Sequence, residues 1–346
     1  MEQCSSEQTA LYKQEIAVRL LKELPVESEP TFADLTGGFG VDFSYMSKPF
    51  KKALYVERNE QLCNIATQNF KCLGLNNIST KNGDSIEVLH QLDGVSVLFL
   101  DPARRNSSGG KVVSMADCEP NVLELCDEMV KKSHFVVLKL SPMLDWHSAV
   151  SQLKYVTEVH IVSVGNECKE LLLVLTDRNK TAKGCKSNTI QIFCVNDNDV
   201  FSYEEGIYSE GENIPQQRIF DRNATLPPYL YEPNASIMKA GCFAQLSETY
   251  DVAALGHNSH LFVSPDFLPH FPGRKFQIVN VCTLNKKELR RALTGMTQAN
   301  IAVRNFPMRV DELKKRLKLR DGGEHYIFAT TRGDKEHILI ISKKEV

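Results

Sequence analysis

The sequence predicts an α/β protein, in which short apolar runs ending in glycine or an acidic residue alternate with segments of helical period. Two stretches carry this prediction. In the first, the apolar strand Thr31-Phe32-Ala33-Asp34-Leu35 runs into Thr36-Gly37-Gly38-Phe39-Gly40. Without a Cβ at Gly38 and Gly40 the main chain can turn tightly and approach a ligand closely. The second, Val95-Ser96-Val97-Leu98-Phe99-Leu100, is nearly continuous in hydrophobicity, as expected of a strand buried on both faces.

The remaining elements follow in order. Residues 8–24 read as an amphipathic helix, with Leu11, Ile16, Leu20 and Leu21 near one face and Lys13, Arg19 and Lys22 polar. This helix is expected to cover the sheet edge or the ligand site. A second apolar run, Ala53-Leu54-Tyr55-Val56, ends at Glu57, seventeen residues after Gly40. An acid at that strand tip is where nucleotide-binding α/β folds hold a ribose diol. Ile78–Lys81 leads into Asn82-Gly83-Asp84, where Asp84 could bond an adenine amino group. Helices near 58–72 and 117–132 separate these strands from a fifth, Phe135–Leu140. Strands at 158–164 and 170–176 flank Gly165-Asn166-Glu167, so short a connection that an antiparallel hairpin is implied.

Two cofactor classes use such a layout. A dinucleotide site needs G-x-G-x-x-G, yet the third position counted from Gly38 is Phe43, and Asp34 would repel a pyrophosphate. S-adenosylmethionine carries a cationic sulfonium and an ammonium, which suit Asp34 beside a glycine turn. Together with Asp101-Pro102-Ala103-Arg104 at the end of the central strand, the series Asp34…Gly40, Glu57 and Asp84 resembles the class I S-adenosylmethionine-dependent methyltransferases over about residues 30–176. Thr36 departs from the pattern, standing where that family often has its first glycine. The resemblance implies a Rossmann-like seven-stranded sheet with helices on both faces. It also implies a cofactor site of Asp34, Thr36, Gly38, Phe39, Gly40, Glu57, Arg58, Asp84 and Asp101.

The acceptor side of the site is expected at Asp101, Pro102, Arg104 and Lys139. Amino-methylating enzymes place an aromatic ring after Asp/Asn-Pro-Pro to stack the base, whereas Arg104 stands here. Ser141-Pro142-Met143 follows the fifth strand where pyrimidine-C5 enzymes need a cysteine nucleophile, which disfavours covalent chemistry. Lys13, Asp101, Lys139 and Glu170 fall roughly where ribose 2′-O-methyltransferases carry a Lys-Asp-Lys-Glu set. In that reading a lysine with a depressed pKa accepts the hydroxyl proton; in the blander one Lys139 is a strand-end ion pair to Asp101. The loop Arg104–Lys111 is basic and glycine-containing, fit to clamp a phosphate or close as a lid; the alternative is a plain disordered surface loop.

Polar residues 177–186 mark a boundary, giving an N-terminal domain over 1–178. A connecting region over 179–274 carries β patterns at 190–195 and 200–203 and a helix near 234–246. A C-terminal module over 275–346 reads β-α-β-α-β-β, with strands at 276–283, 300–305, 325–331 and 337–342. From Arg274 onward there are 17 Lys/Arg against 8 Asp/Glu, a charge of +9, leaving 24 against 35, or −11, elsewhere. Lys286, Lys287, Arg290 and Arg291 on one helix and Lys314, Lys315 and Arg316 on the other form a candidate RNA-binding surface; the alternative is a well-solvated helical face. The module resembles the THUMP-like domains appended to RNA-modifying methyltransferases, and the whole chain resembles a bacterial group of methyltransferases with such a C-terminal domain.

Composition excludes other classes. The 42% hydrophobic and 24% charged fractions are ordinary for a globular protein, no apolar run reaches the length of a membrane span, and Met1–Ser5 lacks the core of a signal peptide. Ten cysteines without a C-x-x-C pair read as reduced thiols in the cytoplasm. His257 and His260 lack a cysteine or acidic partner at ligand spacing, so no metal is expected. The expected function is an S-adenosylmethionine-dependent methyltransferase acting on RNA. The alternatives are a small-molecule or protein methyltransferase, or a non-catalytic RNA-binding protein that retains the fold.

Overall fold

Nine strands and six helices of the N-terminal unit build one sheet covered by helices. The computed structural model describes residues 4–24, 29–104, 115–180, 189–206, 216–333 and 335–345, which fall into two compact units, Met1–Ile207 and Tyr208–Val346. In the first unit the order is α1 (Glu7–Leu21), β1 (Thr31–Asp34), α2 (Val41–Met46), β2 (Lys52–Glu57), α3 (Glu60–Cys72), β3 (Ile78–Asn82), α4 (Ser85–Gln91) and β4 (Val95–Leu100). A two-stranded ribbon, β5 (Ala103–Arg104) and β6 (Cys118–Glu119), precedes α5 (Val122–Lys132), β7 (Ser133–Leu140), α6 (Trp146–Gln152), β8 (Val156–Val164), β9 (Glu167–Leu175), β10 (Thr189–Asn196) and β11 (Asp199–Gly206).

The strand order is β11-β10-β8-β9-β7-β4-β1-β2-β3. β3, β2, β1, β4 and β7 run parallel, and β9 enters reversed between β7 and β8. Every residue of β4 is buried, as its continuous apolar run requires. Phe32, Val97, Phe99, Phe135 and Val137 pack with Ile16, Ala17 and Leu20 of α1, Phe43 of α2 and Ala66 and Phe70 of α3. The alternate residues Leu98, Leu100, Val136 and Leu138 point to the other face and are equally buried.

The seven expected strands are present, and two more lengthen the sheet to nine. β8 is not an edge, because β10 pairs with it in parallel and β11 folds back on β10. Ile190, Ile192 and Cys194 alternate into the core, so this addition satisfies the open backbone of β8 and buries apolar side chains together. Residues expected to connect two domains are thereby divided, β10 and β11 joining this sheet and later strands joining another. The polarity of α1 is also rotated from expectation. Thr9, Ala10, Lys13, Ile16, Ala17 and Leu20 form its buried face, while Leu11 is 43% exposed.

The second unit comprises β12 (Tyr229–Pro233), α7 (Ala235–Ala240), α8 (Phe243–Tyr250), β13 (Ala253–Ala254), β14 (Phe262–Ser264), β15 (Gly273–Cys282), α9 (Lys286–Ala292), β16 (Asn300–Arg304), α10 (Val310–Leu317), β17 (His325–Arg332) and β18 (Glu336–Lys344). Its sheet runs β13-β14-β12-β15-β18-β17-β16. The helix expected near 234–246 is two, because Gly241 adopts φ 72° and ends α7 with a left-handed cap. Leu289 and Leu313, from α9 and α10, pack with Ile327, Leu339 and Ile341, whereas Leu230, Leu255, Leu261 and Val263 pack with Phe328, Ile338 and Ile340. Alternation along β17 and β18 therefore serves two separate cores.

Candidate active site

The carboxyl ends of β1, β2, β4 and β7 meet, as parallel sheets dictate, where the strand-end motifs lie. Leu35 donates its N–H to Phe99 O at 3.2 Å and Gly37 to Val56 O at 2.9 Å, so the glycine turn prolongs the pairing of β1 on both sides. Thr36, out of pattern in the sequence, is the knot of this turn. Its hydroxyl accepts the Asp101 N–H at 2.6 Å and lies 3.4 Å from Asp34 Oδ1, which also accepts the Thr36 N–H at 2.9 Å. Gly37 is required for a different reason than ligand approach, since a Cβ there would meet the Tyr55 ring at 2.0 Å. Gly38, at φ 53°, faces open space, with only the Thr36 carbonyl at 4.0 Å from such a Cβ.

Several expected cofactor residues carry structural duties as well. Asp34 is 1% exposed, and burial pushes its carboxyl up to about 8 despite the Thr36 N–H, with Asp42 and Asp101 adding to the rise. It is therefore an inward-turned group that fixes the turn, not an open carboxylate. Glu57 accepts the N–H of Gly38 at 2.8 Å and of Asn59 at 2.7 Å, one on each oxygen. Asp84 caps α4 through Oδ1, accepting from Ile86 at 2.8 Å and Glu87 at 3.2 Å. Arg58 is paired with Glu119 at 2.7 Å, and Phe39 is 47% exposed beside the turn.

Lys13, Asp101, Lys139 and Glu170 converge in one charged cluster. Lys13, wholly buried, pairs with Glu170, and Lys139 bonds Asp101 at 2.7 Å. Asp42 joins the pairs: its Oδ2 accepts from Lys139 at 3.2 Å, and its Oδ1 lies 3.1 Å from Lys13 as an ion pair without a directed hydrogen bond. Ser5 sits among them, its Oγ 3.1 Å from both ammonium groups, 2.8 Å from Asp42 and 2.9 Å from Glu170. Burial disfavours the charged form of Lys139, but Asp101, Asp42 and Glu170 outweigh it and hold the ammonium above the ordinary lysine range. Of the two readings of Lys139, the strand-end ion pair to Asp101 is the one present, and the depressed lysine base is reversed. Burial raises the carboxyl of Asp101 against the pull of Lys139, whereas the two lysines overcome burial at Asp42 and lower it. With 39% of its side chain exposed, Asp101 is the solvent-facing member.

Sequence reasoning missed Asp42 and Ser5. No local pattern marks either, because Asp42 meets Lys13 and Lys139 only when α2 packs beside α1 and β7. Pro102 is buried behind Asp101. Arg104 ends β5, while Arg105–Lys111 of the expected loop lie outside the described residues. On the second unit Lys286, Lys287, Arg290, Arg291, Lys315 and Arg316 are exposed. Lys314 is half-buried and bound to Asp321 at 2.7 Å, and Arg316 donates to Leu284 O at 3.4 Å.

A parallel sheet closed by a reversed strand, with its acids at the strand ends, defines the class I methyltransferase fold. Residues 273–344 match the family described as THUMP domain-like, and residues 229–272 a ferredoxin-like domain family. The chain thus joins a class I methyltransferase fold to a C-terminal THUMP-like domain. The crystal structure of a proposed methyltransferase from Porphyromonas gingivalis W83 is similar at TM-score 0.83 and 29% identity, covering 100% of this chain and 82% of that one. Weaker similarities reach a SAM-dependent methyltransferase from Agrobacterium tumefaciens (TM-score 0.36, 13% identity, 49% of this chain and 62% of that chain) and an rRNA methylase from Streptococcus thermophilus (0.35, 15%, 46% and 93%). No curated protein matches the chain.

Proposed function

We propose that this protein is an S-adenosylmethionine-dependent methyltransferase acting on RNA captured by the basic C-terminal domain. The observation that carries the proposal is the union of a nucleoside-type strand-end site with an ion cluster of excess negative charge. Each Glu57 oxygen keeps an acceptor position beyond its backbone bond, enough for a ribose diol, and Asp84 Oδ2 is open for an amino group. Two ammonium groups against the carboxylates of Asp42, Asp101 and Glu170 leave room for one further cation. S-Adenosylmethionine supplies an electrophilic methyl group on a cationic sulfur, which these residues fit. Asp101, at the solvent-facing end, orients the acceptor, and Lys139 holds Asp101 in place.

RNA as substrate is supported by the THUMP-like match, by the +9 charge of residues 274–346 and by exposed cations on α9 and α10. A protein of this kind would work in the cytoplasm, where its RNA lies. Incubation with radiolabelled S-adenosylmethionine and total RNA tests the reading: label entering RNA supports it, while label entering only protein or small molecules sinks it. Titration calorimetry with S-adenosylmethionine separates an enzyme from a bare RNA-binding relative of the fold. Glu57→Ala should abolish measurable cofactor binding, because it removes the diol acceptor and frees the Gly38 N–H together.

A further inference from the structure

We infer that Thr36 is a positioning residue for methyl transfer, its hydroxyl holding the main chain of Asp101 so that the acceptor meets the cofactor at a fixed place. The inference rests on the proposed methyltransferase activity and adds a residue to it.

The register of the sheet brings the two residues together. Asp34 on β1 lies opposite Phe99 on β4, so Thr36 comes level with Asp101 just beyond both strands. Leu35 still bonds across to Phe99 O at 3.2 Å, while Gly37 turns to the other neighbour and bonds Val56 O at 2.9 Å. Between them, the Thr36 hydroxyl reaches back to the β4 side and accepts the Asp101 N–H at 2.6 Å. A side-chain oxygen thus carries the link between β1 and β4 one step past the Leu35–Phe99 bond.

That oxygen is itself held in place. The Thr36 N–H goes to Asp34 Oδ1 at 2.9 Å, and the hydroxyl proton faces the same oxygen at 3.4 Å. Asp34 is 1% exposed, so this anchor is part of the packed interior. Branching at Cβ further restricts the rotation of the Thr36 side chain. A glycine at this position would supply no oxygen at all. In this chain, therefore, the tie between the glycine turn and Asp101 comes from the side chain of Thr36.

Asp101 is held at two points, its carboxylate by Lys139 at 2.7 Å and its N–H by Thr36. With the backbone amide fixed, the 39% exposed carboxylate has a set place relative to the turn. Gly38, in the same turn, donates its N–H to Glu57, the proposed acceptor for the ribose diol. The spacing of acceptor and cofactor is thus set through short bonds that begin two residues apart. Methyl transfer needs the acceptor atom, the methyl carbon and the sulfur in line, and a misplacement of about 1 Å costs up to about 10²-fold. Loss of the Thr36 hydroxyl should therefore act on the rate, whereas Glu57 and Asp84 keep their cofactor contacts.

Thr36→Val keeps the branched shape and removes the hydroxyl, whereas Thr36→Ser keeps the hydroxyl. With full-length protein, radiolabelled S-adenosylmethionine and total RNA, the rate of Thr36→Val at saturating cofactor should fall by about 10-fold. Its dissociation constant for S-adenosylmethionine, from calorimetry, should stay within about twofold of wild type, and Thr36→Ser should recover most of the rate. A weakened cofactor with an unchanged saturated rate makes Thr36 a cofactor residue. An unchanged rate and affinity with lowered stability make it a brace of the turn. Either outcome overturns the inference, as does a Thr36→Ser rate as low as that of Thr36→Val. If the wild-type protein labels no RNA, the RNA reading falls, and amide-resolved hydrogen exchange then decides the role of Thr36. Exchange at Asp101 should quicken by about 10-fold or more in Thr36→Val but not in Thr36→Ser, with the Gly37 amide unaltered. Equal exchange at Asp101 in wild type and both variants overturns the inference whatever the substrate.

Discussion

Asp101 is the residue on which the proposed chemistry turns. The buried Pro102 fixes the chain behind it, and its backbone N–H is tied to Thr36 and its carboxylate to Lys139. Asp101→Ala should preserve the fold and most cofactor affinity, since Glu57 ends β2 and Asp84 caps α4, apart from it. Methyl transfer to the true substrate should fall by about 10²-fold or more, measured as kcat at saturating cofactor. Near-normal turnover would move the chemistry toward Lys139 and Ser141. Asp34 yields a prediction of stability. Its carboxyl titrates at about 8 in the fold but near pH 4 in the unfolded chain, so the folded state binds the extra proton between those values. Stability from this group is complete below about pH 4 and declines as pH rises to about 8. Asp34→Asn keeps an oxygen for the Thr36 N–H and removes the titration. In urea unfolding, its stability relative to wild type should therefore grow from about pH 5 to about pH 8.

At the scale of elements, α1 shows how a local pattern can be outvoted. Leu11 should have faced the core by periodicity, yet Lys13 does, because Asp42 and Glu170 offer it two carboxylates and burial of Ile16, Ala17 and Leu20 fixes the rotation. A second lock supports the docking: Arg19 binds Glu158 on β8, and Tyr12 bonds His160 at 2.8 Å. Lys13→Met keeps the volume of the stem but leaves buried Glu170 without its cation and Asp42 with Lys139 alone. It should destabilise the protein by about 3–5 kcal/mol, the ordinary cost of breaking a buried pair on one side, as read from chemical unfolding. Lys13→Met combined with Glu170→Gln and Asp42→Asn should recover part of that loss, because no charge is then stranded.

For the whole molecule, the uneven charge divides the labour. Residues 274–346 carry +9 and the rest −11, so a polyanion is drawn to one domain and repelled by the other. Arg290→Glu with Arg291→Glu should weaken RNA binding and flatten its salt dependence, leaving S-adenosylmethionine binding unchanged. Filter binding over a salt series and calorimetry measure the two halves separately; an unaltered salt slope would detach RNA capture from α9. Lys314 is expected to matter less than its neighbours, being committed to Asp321.

The sequence by itself determined the strands near 31–35, 53–56, 78–81 and 95–100 and the basic β-α-β-α-β-β module. These rest on local signals, namely apolar period, glycine at turns and acids at strand ends, which neighbouring residues suffice to fix. Only the tertiary structure decided that Lys13 is buried, that Asp42 and Ser5 complete the charged cluster, and that β10 and β11 continue the first sheet. Lys13 and Glu170 are 157 positions apart. Whether such charges meet, and whether the low dielectric around them raises or lowers a lysine, depends on which faces pack together, and no local pattern records that. Asp34 makes the same point in reverse: its place at the strand end was legible, but its inward turn and raised carboxyl follow from the packing of β1 between β2 and β4.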